Sequence, residues 1–254
     1  MNIRKEMTKG SSALLVLSVL EKKEMYGYLI VKEIRVRSDG AFDLKEGTLY
    51  PILHAFEKEG MVTSYWSESP EGRKRKYYQI TKKGIKELEK KIVDNNYTLS
   101  TGFVGTGVLN QTLEKVGLSS LAYSLLLQTE DPSWLYSVKQ GATTIWERWN
   151  SYTIKTGFGD VNMNSFNHYA YGAVAEWLYS GVCGILPDEN APGFSHFFLK
   201  PSPDMRKELP TGQKNINSAK ATYNSINGRI ESSWENSNGK YVYNFTIPQG
   251  TTAT

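Results

Sequence analysis

The sequence predicts an α+β chain made of two parts with different characters. Residues 1–96 hold 19 Lys and Arg against 14 Asp and Glu, whereas the rest of the chain holds 11 against 12. In each part the apolar residues first recur at helical spacing and later alternate as they do in strands. We therefore expect one domain over 1–95 and two further regions over 96–186 and 187–254, with the junction around 90–96 inside continuous helix.

The first domain is predicted to hold helices followed by a β-hairpin. Pro70 and Gly72 favour a hairpin connector between the two strands. Thr81 is expected to cap a further helix after the second strand. This order of elements is that of a winged helix-turn-helix. The predicted three helices and two strands lie at 12–22, 26–37, 46–58, 61–66 and 73–80.

The polar side chains of this domain suit double-stranded DNA as a partner. A solvated basic surface is the alternative on charge alone, but four cations just after a hairpin tip can contact phosphates without reading sequence. The third helix would enter the major groove. The candidate DNA-binding residues are Lys45, Thr48, Tyr50 and His54 on or beside that helix, and Arg73, Lys74, Arg75 and Lys76 on the wing.

The segments EGTLYPILHAFEKEGMVTSYW and GRKRKYYQITKKG resemble the PadR family of bacterial transcriptional regulators, over about residues 11–90. The resemblance implies a dimeric repressor that binds a palindromic operator. Members of that family dimerise through helices after the wing, and here only a stub over 82–93 follows it. We therefore expect a homodimer that is weakened by a shortened dimerisation helix.

The second part is predicted to begin with helices and to end with strands. Residues 108–128 indicate two helices separated by Gly117, and the apolar pattern over 165–180 indicates the clearest helix of the chain. Afterwards the apolar period changes to two, and Asn238 followed by Gly239 is typical of a hairpin turn.

Glu147 and His168 are the candidate site residues of the second part. Glu147 lies between Trp146 and Trp149, whose faces can hold the C–H faces of a sugar, and desolvation would raise the pKa of its carboxyl group. His168 falls in the first turn of the helix predicted over 165–180, where the helix dipole favours a neutral imidazole. A surface acid and a locally capping histidine are the alternatives from these residues alone.

Four segments resemble the C-terminal part of bacterial α-L-rhamnosidases, over about residues 92–254. They are NYTLSTGFVGT, PSWLYSVKQGATTIWERW, MNSFNHYAYGAVAEWLY and LPDENAPGFSHFFLKPSP. The resemblance implies the last helices of an α/α barrel of six helical hairpins and a truncated β-sandwich, from a glycoside hydrolase of carbohydrate metabolism that inverts the glycosidic bond. It makes Glu147 the general base and His168 a contact to L-rhamnose or a rhamnoside. Trp134, Trp146 and Trp149 are further candidate walls of that pocket.

An inverting glycosidase also needs a carboxylic acid roughly 6.5–9.5 Å from the base. In the rhamnosidase family this acid comes from earlier barrel helices. Asp160 and Glu176 are the nearest acids in the sequence, but no family motif supports either of them as the general acid. We therefore expect a DNA-binding regulator that carries an incomplete rhamnosidase region, inactive alone. The alternatives are a rhamnosidase fragment whose acid comes from a partner chain, and a join made by gene fusion or sequence assembly.

The sequence predicts no cofactor, no metal site and no membrane partner. Cys183 is the one cysteine, so an internal disulfide cannot form, and a reducing cytoplasm is the expected location. The apolar run over 13–20 is too short for a membrane span and lacks the cleavage site of a signal peptide.

Overall fold

A computed structural model describes the chain in two compact units, Met1–Ala173 and Val174–Thr254. No helix among the described residues is long and apolar enough to cross a membrane. The same residues contain no group of three or more His, Cys, Asp or Glu that could hold a metal ion. The described residues are 16–17, 19–20, 24–37, 44–68, 72–99, 101–115 and 117–254.

The first part of the chain combines helices with a three-stranded antiparallel sheet of order β1-β3-β2. The helix predicted over 46–58 is confirmed at both ends. The preceding helix begins one residue later than predicted because Tyr26 belongs to a short strand that pairs with Tyr77. Pro70 lies outside the described residues. The elements are β1 (Met25–Tyr26), α1 (Gly27–Arg37), α2 (Glu46–Lys58), β2 (Val62–Glu68), β3 (Lys74–Ile80) and α3 (Lys82–Asp94).

One apolar cluster holds these elements together. Ile30 and Ile34 of α1 and Leu49 and Leu53 of α2 are all fully buried in it. Burial of each such side chain contributes roughly 1.5–3 kcal/mol. The helix predicted over 12–22 lies mostly outside the described residues, but its described members are helical and buried: Val16, Leu17, Val19 and Leu20.

Helix α3 ends inside the segment where the two parts of the chain join. The Oγ1 atom of Thr81 accepts the backbone N–H of Gly84 at 3.1 Å, which confirms the predicted cap. After Asp94 the chain leaves the helix, and Asn96 and Tyr97 take φ values of 51° and 56°. A right-handed helix cannot continue through such residues. The prediction of continuous helix across 90–96 is therefore wrong.

Three helices follow before the second unit begins. Gly117, with φ of 79°, separates the first two as predicted, because a positive φ suits glycine at the end of a helix. The first of them packs against the second, against a 3₁₀ turn over Ala170–Ala173, and against α1. These helices are α4 (Phe103–Lys115), α5 (Ser119–Leu126) and α6 (Trp134–Lys139), and the short strands β4 (Tyr152–Thr153) and β5 (Gly157–Phe158) come after them.

The helix predicted over 165–180 begins later and is irregular. Its first turn is the 3₁₀ turn Ala170–Ala173, followed by α7 (Val174–Trp177) and a π-helical turn over Leu178–Val182. The prediction fails at the start because backbone carbonyls that a helix would use there accept other donors. The carbonyl of Ser165 accepts the backbone N–H of Glu147 at 2.9 Å, and that of Phe166 accepts the hydroxyl of Thr144.

The second unit contains two three-stranded sheets, ordered β11-β7-β6 and β10-β9-β8. The predicted hairpin is confirmed, since Asn238 and Gly239 join β9 to β10 with φ of 52° and 85°. Trp234 is buried, and its indole N–H donates to the carbonyl of Val182 at 2.8 Å. The strands are β6 (Ile185–Pro187), β7 (His196–Leu199), β8 (Ser218–Ser225), β9 (Gly228–Ser237), β10 (Lys240–Thr246) and β11 (Thr252–Ala253).

A buried ion pair holds the long loop between β7 and β8. The Nη2 atom of Arg206 lies 2.8 Å from Oδ2 of Asp204, and the two side chains are 1% and 0% exposed. The backbone N–H of Ile216 donates to the same carboxylate at 3.0 Å. Burial alone would raise the pKa of Asp204, but the hydrogen bonds from Arg206 and Ile216 lower it overall.

Candidate functional sites

The residues predicted to face the DNA groove are exposed before and along α2. Lys45 precedes the helix in an extended conformation, and Thr48 lies three residues further on, so the two share one side of α2. Tyr50 and His54, four residues apart, share another side. We define the α2–wing face as these four residues, Lys45, Thr48, Tyr50 and His54, together with Arg73, Lys74, Arg75 and Lys76 of the hairpin.

Tyr50 and His54 line a groove of about 440 Å³ between α2 and the hairpin. Three of the four wing cations line it with them, so the groove combines aromatic walls with positive charge. Arg73 is the wing cation that does not line it. The remaining lining residues are Tyr26, Gly27, Trp66, Lys74, Arg75, Lys76 and Tyr78.

Glu57 of α2 engages one of the wing cations. The Nζ atom of Lys76 lies 2.9 Å from Oε2 of Glu57, and the Oγ of Ser64 donates to Oε1 of the same carboxylate. Hydrogen bonds from Ser64 and Lys76 lower the pKa of Glu57, and its hydrogen bond to Lys76 raises the pKa of that lysine. This network joins α2 to both strands of the hairpin. Sequence reasoning missed Glu57, because the strand register that places Ser64 and Lys76 beside it cannot be read from composition.

Arg75 lies against a row of tyrosines on the small sheet. Its guanidinium carbon is 4.2 Å from the ring centroid of Tyr26. The ring of Tyr26 meets Tyr77 edge-on at 5.5 Å, and Tyr77 stacks on Tyr65 at 5.7 Å. A cation over an aromatic face at an accessible site is stabilised by about 0.5–1 kcal/mol, which helps to orient this arginine.

The structure brings Glu147 and His168 onto two adjacent backbone segments. The N–H of Glu147 donates to the carbonyl of Ser165 at 2.9 Å, and that of His168 donates to the carbonyl of Ile145 at 2.8 Å. Both site residues are half-buried. His168 precedes the first helical turn, so its predicted place inside a helix is wrong and the helix-dipole argument for its neutral form does not apply.

Ring contacts orient the imidazole of His168 instead. Phe103, the first residue of α4, stacks on it with ring centroids 4.9 Å apart, and Tyr169 stacks at 5.6 Å. The backbone N–H of Ala170 donates to Nδ1 at 3.4 Å. When Nδ1 accepts a hydrogen bond, the proton of the neutral ring resides on Nε2, which can then donate to a hydroxyl group.

The three tryptophans predicted as pocket walls divide between two aromatic clusters. Trp134 and Trp149 meet edge-on at 5.6 Å, and Trp149 stacks on Tyr171 at 3.6 Å. The indole N–H of Trp134 donates to the carbonyl of Tyr171 at 2.8 Å. Trp146 packs against Phe166 at 5.3 Å instead. The structure therefore joins two of the three tryptophans in one cluster and places the third in another.

Tyr171 and Phe103 are contacts that sequence reasoning missed. Burial raises the pKa of Tyr171 to about 12, and the negative charges of Asp131 and Glu147 act in the same direction. Desolvation also raises the pKa of Asp131. Tyr171 and Phe103 lie within the segments that resemble rhamnosidases, but no charge or spacing singled them out. We call the assembled group the Glu147 cluster: Phe103, Trp134, Glu147, Trp149, His168 and Tyr171.

Family models match three consecutive parts of the chain. Residues 16–90 match the transcriptional regulator PadR-like family. Residues 77–182 match the bacterial alpha-L-rhamnosidase six-hairpin glycosidase domain, and residues 184–254 match the bacterial alpha-L-rhamnosidase C-terminal domain. The chain joins a PadR-family domain to domains of the α-L-rhamnosidase family.

Individual relatives support the rhamnosidase assignment. An α-L-rhamnosidase of Formosa agariphila is 42% identical over 167 residues, which are 66% of this chain and 17% of that enzyme. The crystal structure of Streptomyces avermitilis α-L-rhamnosidase complexed with L-rhamnose matches 66% of this chain and 15% of its own, with 38% identity and a TM-score of 0.58. An uncharacterised protein of Lysinibacillus sphaericus is 35% identical over 82 residues, which are 32% of this chain and 75% of that protein. This chain thus spans a small part of the rhamnosidases that it matches.

Proposed function

We propose that this protein is a PadR-like transcriptional repressor that binds double-stranded DNA through residues 1–95. The observation that carries the proposal is the α2–wing face, where Tyr50 and His54 of the helix line the same groove as Lys74 of the hairpin. Cations at such a surface bind phosphates and release counterions, whereas side chains on a helix in the major groove read base edges. The regions 96–186 and 187–254 have no part in this contact.

The side chains of α2 and of the hairpin take different roles in the proposed complex. Exposed side chains of a recognition helix contact the bases, which assigns sequence reading to Thr48 and His54. Lys74 is exposed on the wing and contributes a phosphate contact. Base contacts set the preferred sequence, and phosphate contacts set the salt dependence.

The test begins with selection of bound sequences from a duplex library with a random centre. Fluorescence anisotropy with the selected duplex should give a logarithm of affinity that falls linearly with the logarithm of salt concentration. His54→Ala should relax the preference at one or two base positions and keep the salt slope. Met205→Ala, a change at an exposed side chain of the second unit, is the control. Absence of salt-sensitive binding at micromolar protein would contradict the proposal.

The proposed repressor forms a weak homodimer and acts in the cytoplasm. Helix α3 buries Gly84, Leu88 and Ile92 within its own protomer, and Lys82, Lys86 and Lys90 occupy other positions of the helix. This arrangement leaves a charged surface for a partner protomer. Sedimentation equilibrium should show dimers only at high protein concentration. A tight dimer at nanomolar protein would contradict this part of the proposal.

A second candidate function is binding of L-rhamnose or a rhamnoside at the Glu147 cluster. It is favoured by two adjacent backbone segments that carry a carboxylate and an imidazole, together with stacked aromatic rings. Glu147 can accept sugar hydroxyls and His168 can donate to one through Nε2. We propose that the sugar is bound but not hydrolysed, because an inverting enzyme requires a second carboxyl group at a set distance from the base.

Tryptophan fluorescence during titration with L-rhamnose tests the second candidate. A saturable change is expected for the unmodified chain, and Glu147→Gln and His168→Ala should each weaken it. Glu189→Gln, which makes the same replacement at an exposed acid, should not. A response to D-glucose equal to that for L-rhamnose would contradict specific binding.

A further inference from the structure

Helix α4 reaches from the Glu147 cluster to the core of the PadR-like domain. At its start, Phe103 stacks on His168 and meets Tyr171 edge-on at 5.1 Å. Further along the same helix, Val108 packs against the apolar cluster that contains α1 and α2. One helix therefore contacts both the Glu147 cluster and the apolar core that supports α2.

We infer that a sugar bound at the Glu147 cluster weakens DNA binding by displacing α4. The inference rests on the functions proposed above. Phe103 and Tyr169 both stack on the imidazole of His168, so a pyranose that approaches this ring competes with them. Tyr169 is 72% exposed and can move into solvent, whereas Phe103 belongs to α4 and moves with it.

The shift of Phe103 reaches the PadR-like domain because the helix moves as a unit. Packed interfaces have discrete arrangements rather than continuous ones, so a small displacement at one end of an element changes its packing at the other. Val108 would lose part of its contact with the cluster that α1 shares with α2. The position of α2 in turn sets the α2–wing face.

Two buried polar atoms make α4 suited to such a shift. The Oδ1 of Asn110 and the Oγ1 of Thr112 are buried in the described part of the chain with no hydrogen-bond partner. An unsatisfied buried oxygen destabilises the arrangement that contains it. A helix whose buried polar atoms were all hydrogen-bonded would lose more free energy on leaving its packing. Helix α4 can therefore reach an alternative packing at a lower cost in free energy.

The test compares DNA affinity of the full chain with and without saturating L-rhamnose, using the selected duplex and fluorescence anisotropy. The Kd should rise about fivefold, at the low end of known allosteric couplings. Linkage requires that saturating duplex weaken L-rhamnose binding by the same factor, and this second measurement needs no variant. D-glucose should leave both affinities unchanged.

Val108→Ala identifies the route of coupling. It should retain DNA binding and sugar binding but reduce the fivefold effect to less than about twofold. Val138→Ala, the same truncation at a side chain that is 58% exposed, is the control and should keep the full effect. Phe103→Ala should bind L-rhamnose more tightly than the unmodified chain, because it removes the ring that competes with the sugar.

The outcomes separate the inference from the functions on which it rests. Absence of DNA binding in either condition contradicts the proposed repressor and the inference together. Absence of L-rhamnose binding contradicts the second candidate and the inference but leaves the repressor intact. Unchanged or tighter DNA binding with the sugar bound overturns the inference alone, as does equal loss of coupling in Val108→Ala and Val138→Ala.

Discussion

The α2–wing face and the Glu147 cluster both combine aromatic rings with polar groups, but they differ in accessibility. On the α2–wing face the imidazole of His54 is 67% exposed, and Trp66, which lines the same groove, is 68% exposed. In the Glu147 cluster Trp134 and Tyr171 are buried, and Tyr171 stacks on Trp149. The first surface is open to a large partner in its present form, whereas the second must rearrange to admit a small one.

This difference sets the expected strength of each interaction. An aromatic pair such as Trp149 and Tyr171 contributes about 0.5–1.5 kcal/mol beyond its buried area, and a sugar that separates the rings must replace that contribution. Duplex DNA meets no such barrier at the α2–wing face. We therefore expect sugar binding to be the weaker of the two proposed interactions.

The largest predicted effect distinguishes the accessible ion pair of the α2–wing face from the buried ion pair of the second unit. Asp204→Asn should lower the free energy of unfolding by about 3–5 kcal/mol, because it leaves the buried Arg206 without its anion. Glu57→Gln removes a half-exposed partner of Lys76 and should lower it by less than about 1 kcal/mol. Chemical denaturation of the full chain measures both, and equal losses would contradict the role given to accessibility.

The carboxylate of Asp204 also predicts a pH dependence of the free energy of unfolding. Because the folded-state pKa of Asp204 is lowered, its contribution to stability is present above the unfolded value of 3.8 and is lost as pH falls through the folded-state pKa. Unfolding free energies measured below about pH 4 should therefore fall more steeply for the unmodified chain than for Asp204→Asn. Parallel curves for the two proteins would contradict this assignment.

A smaller effect should distinguish two cations of the wing. Lys74→Ala should reduce the slope of log affinity against log salt by about one, as expected for the loss of one phosphate contact. Lys76→Ala should reduce it less, because Glu57 already engages Lys76. Anisotropy over a salt series measures the two slopes. A reduction for Lys76→Ala that equals or exceeds the reduction for Lys74→Ala would contradict this prediction.

A still smaller effect is expected on releasing Lys76 from its partner. Glu57→Gln should tighten DNA binding about two- to threefold at low salt, since the lysine can then approach a phosphate. Glu59→Gln removes the same charge from an exposed position at the C-terminal end of α2 and serves as the matched control. An equal gain in both variants would mean that net charge alone, and not the ion pair, limits affinity.

The smallest predicted effect is on hydrolysis of an aryl α-L-rhamnoside. The chain should release no chromophore above the level of Glu147→Gln, because a base without a paired acid does not turn over. Turnover that Glu147→Gln abolishes would contradict the proposed inactivity. Asp131→Asn would then be the next variant, since desolvation raises the pKa of Asp131 and its charge acts on Tyr171 together with that of Glu147.

Patterns within short stretches of sequence predicted the helices and turns that are determined by residues close together in the chain. Helix α2 and the cap at Thr81 follow from periodicity and from one hydroxyl group, and the turn at Gly239 follows from a residue that tolerates positive φ. The apolar pattern over 165–180 failed at its start because the carbonyls of Ser165 and Phe166 accept hydrogen bonds from a segment some twenty positions earlier. No periodicity within the segment contains that information.

The candidate sites were predictable to the same extent. Exposed residues of α2 and the wing cations were identified by residue type and order. The contacts that organise them, Glu57 with Lys76 and Phe103 with His168, join residues that are far apart in the chain. Strand register and helix packing decide such pairs, and neither is encoded in a short stretch of sequence.

Hydrogen exchange of the full chain, with and without the selected duplex, tests most directly whether DNA contacts the PadR-like domain through the α2–wing face. Bound duplex should slow amide exchange in α2 and in the strands β2 and β3 more strongly than at residues 144–171. Slower exchange at 144–171 without any change in α2 would contradict the account.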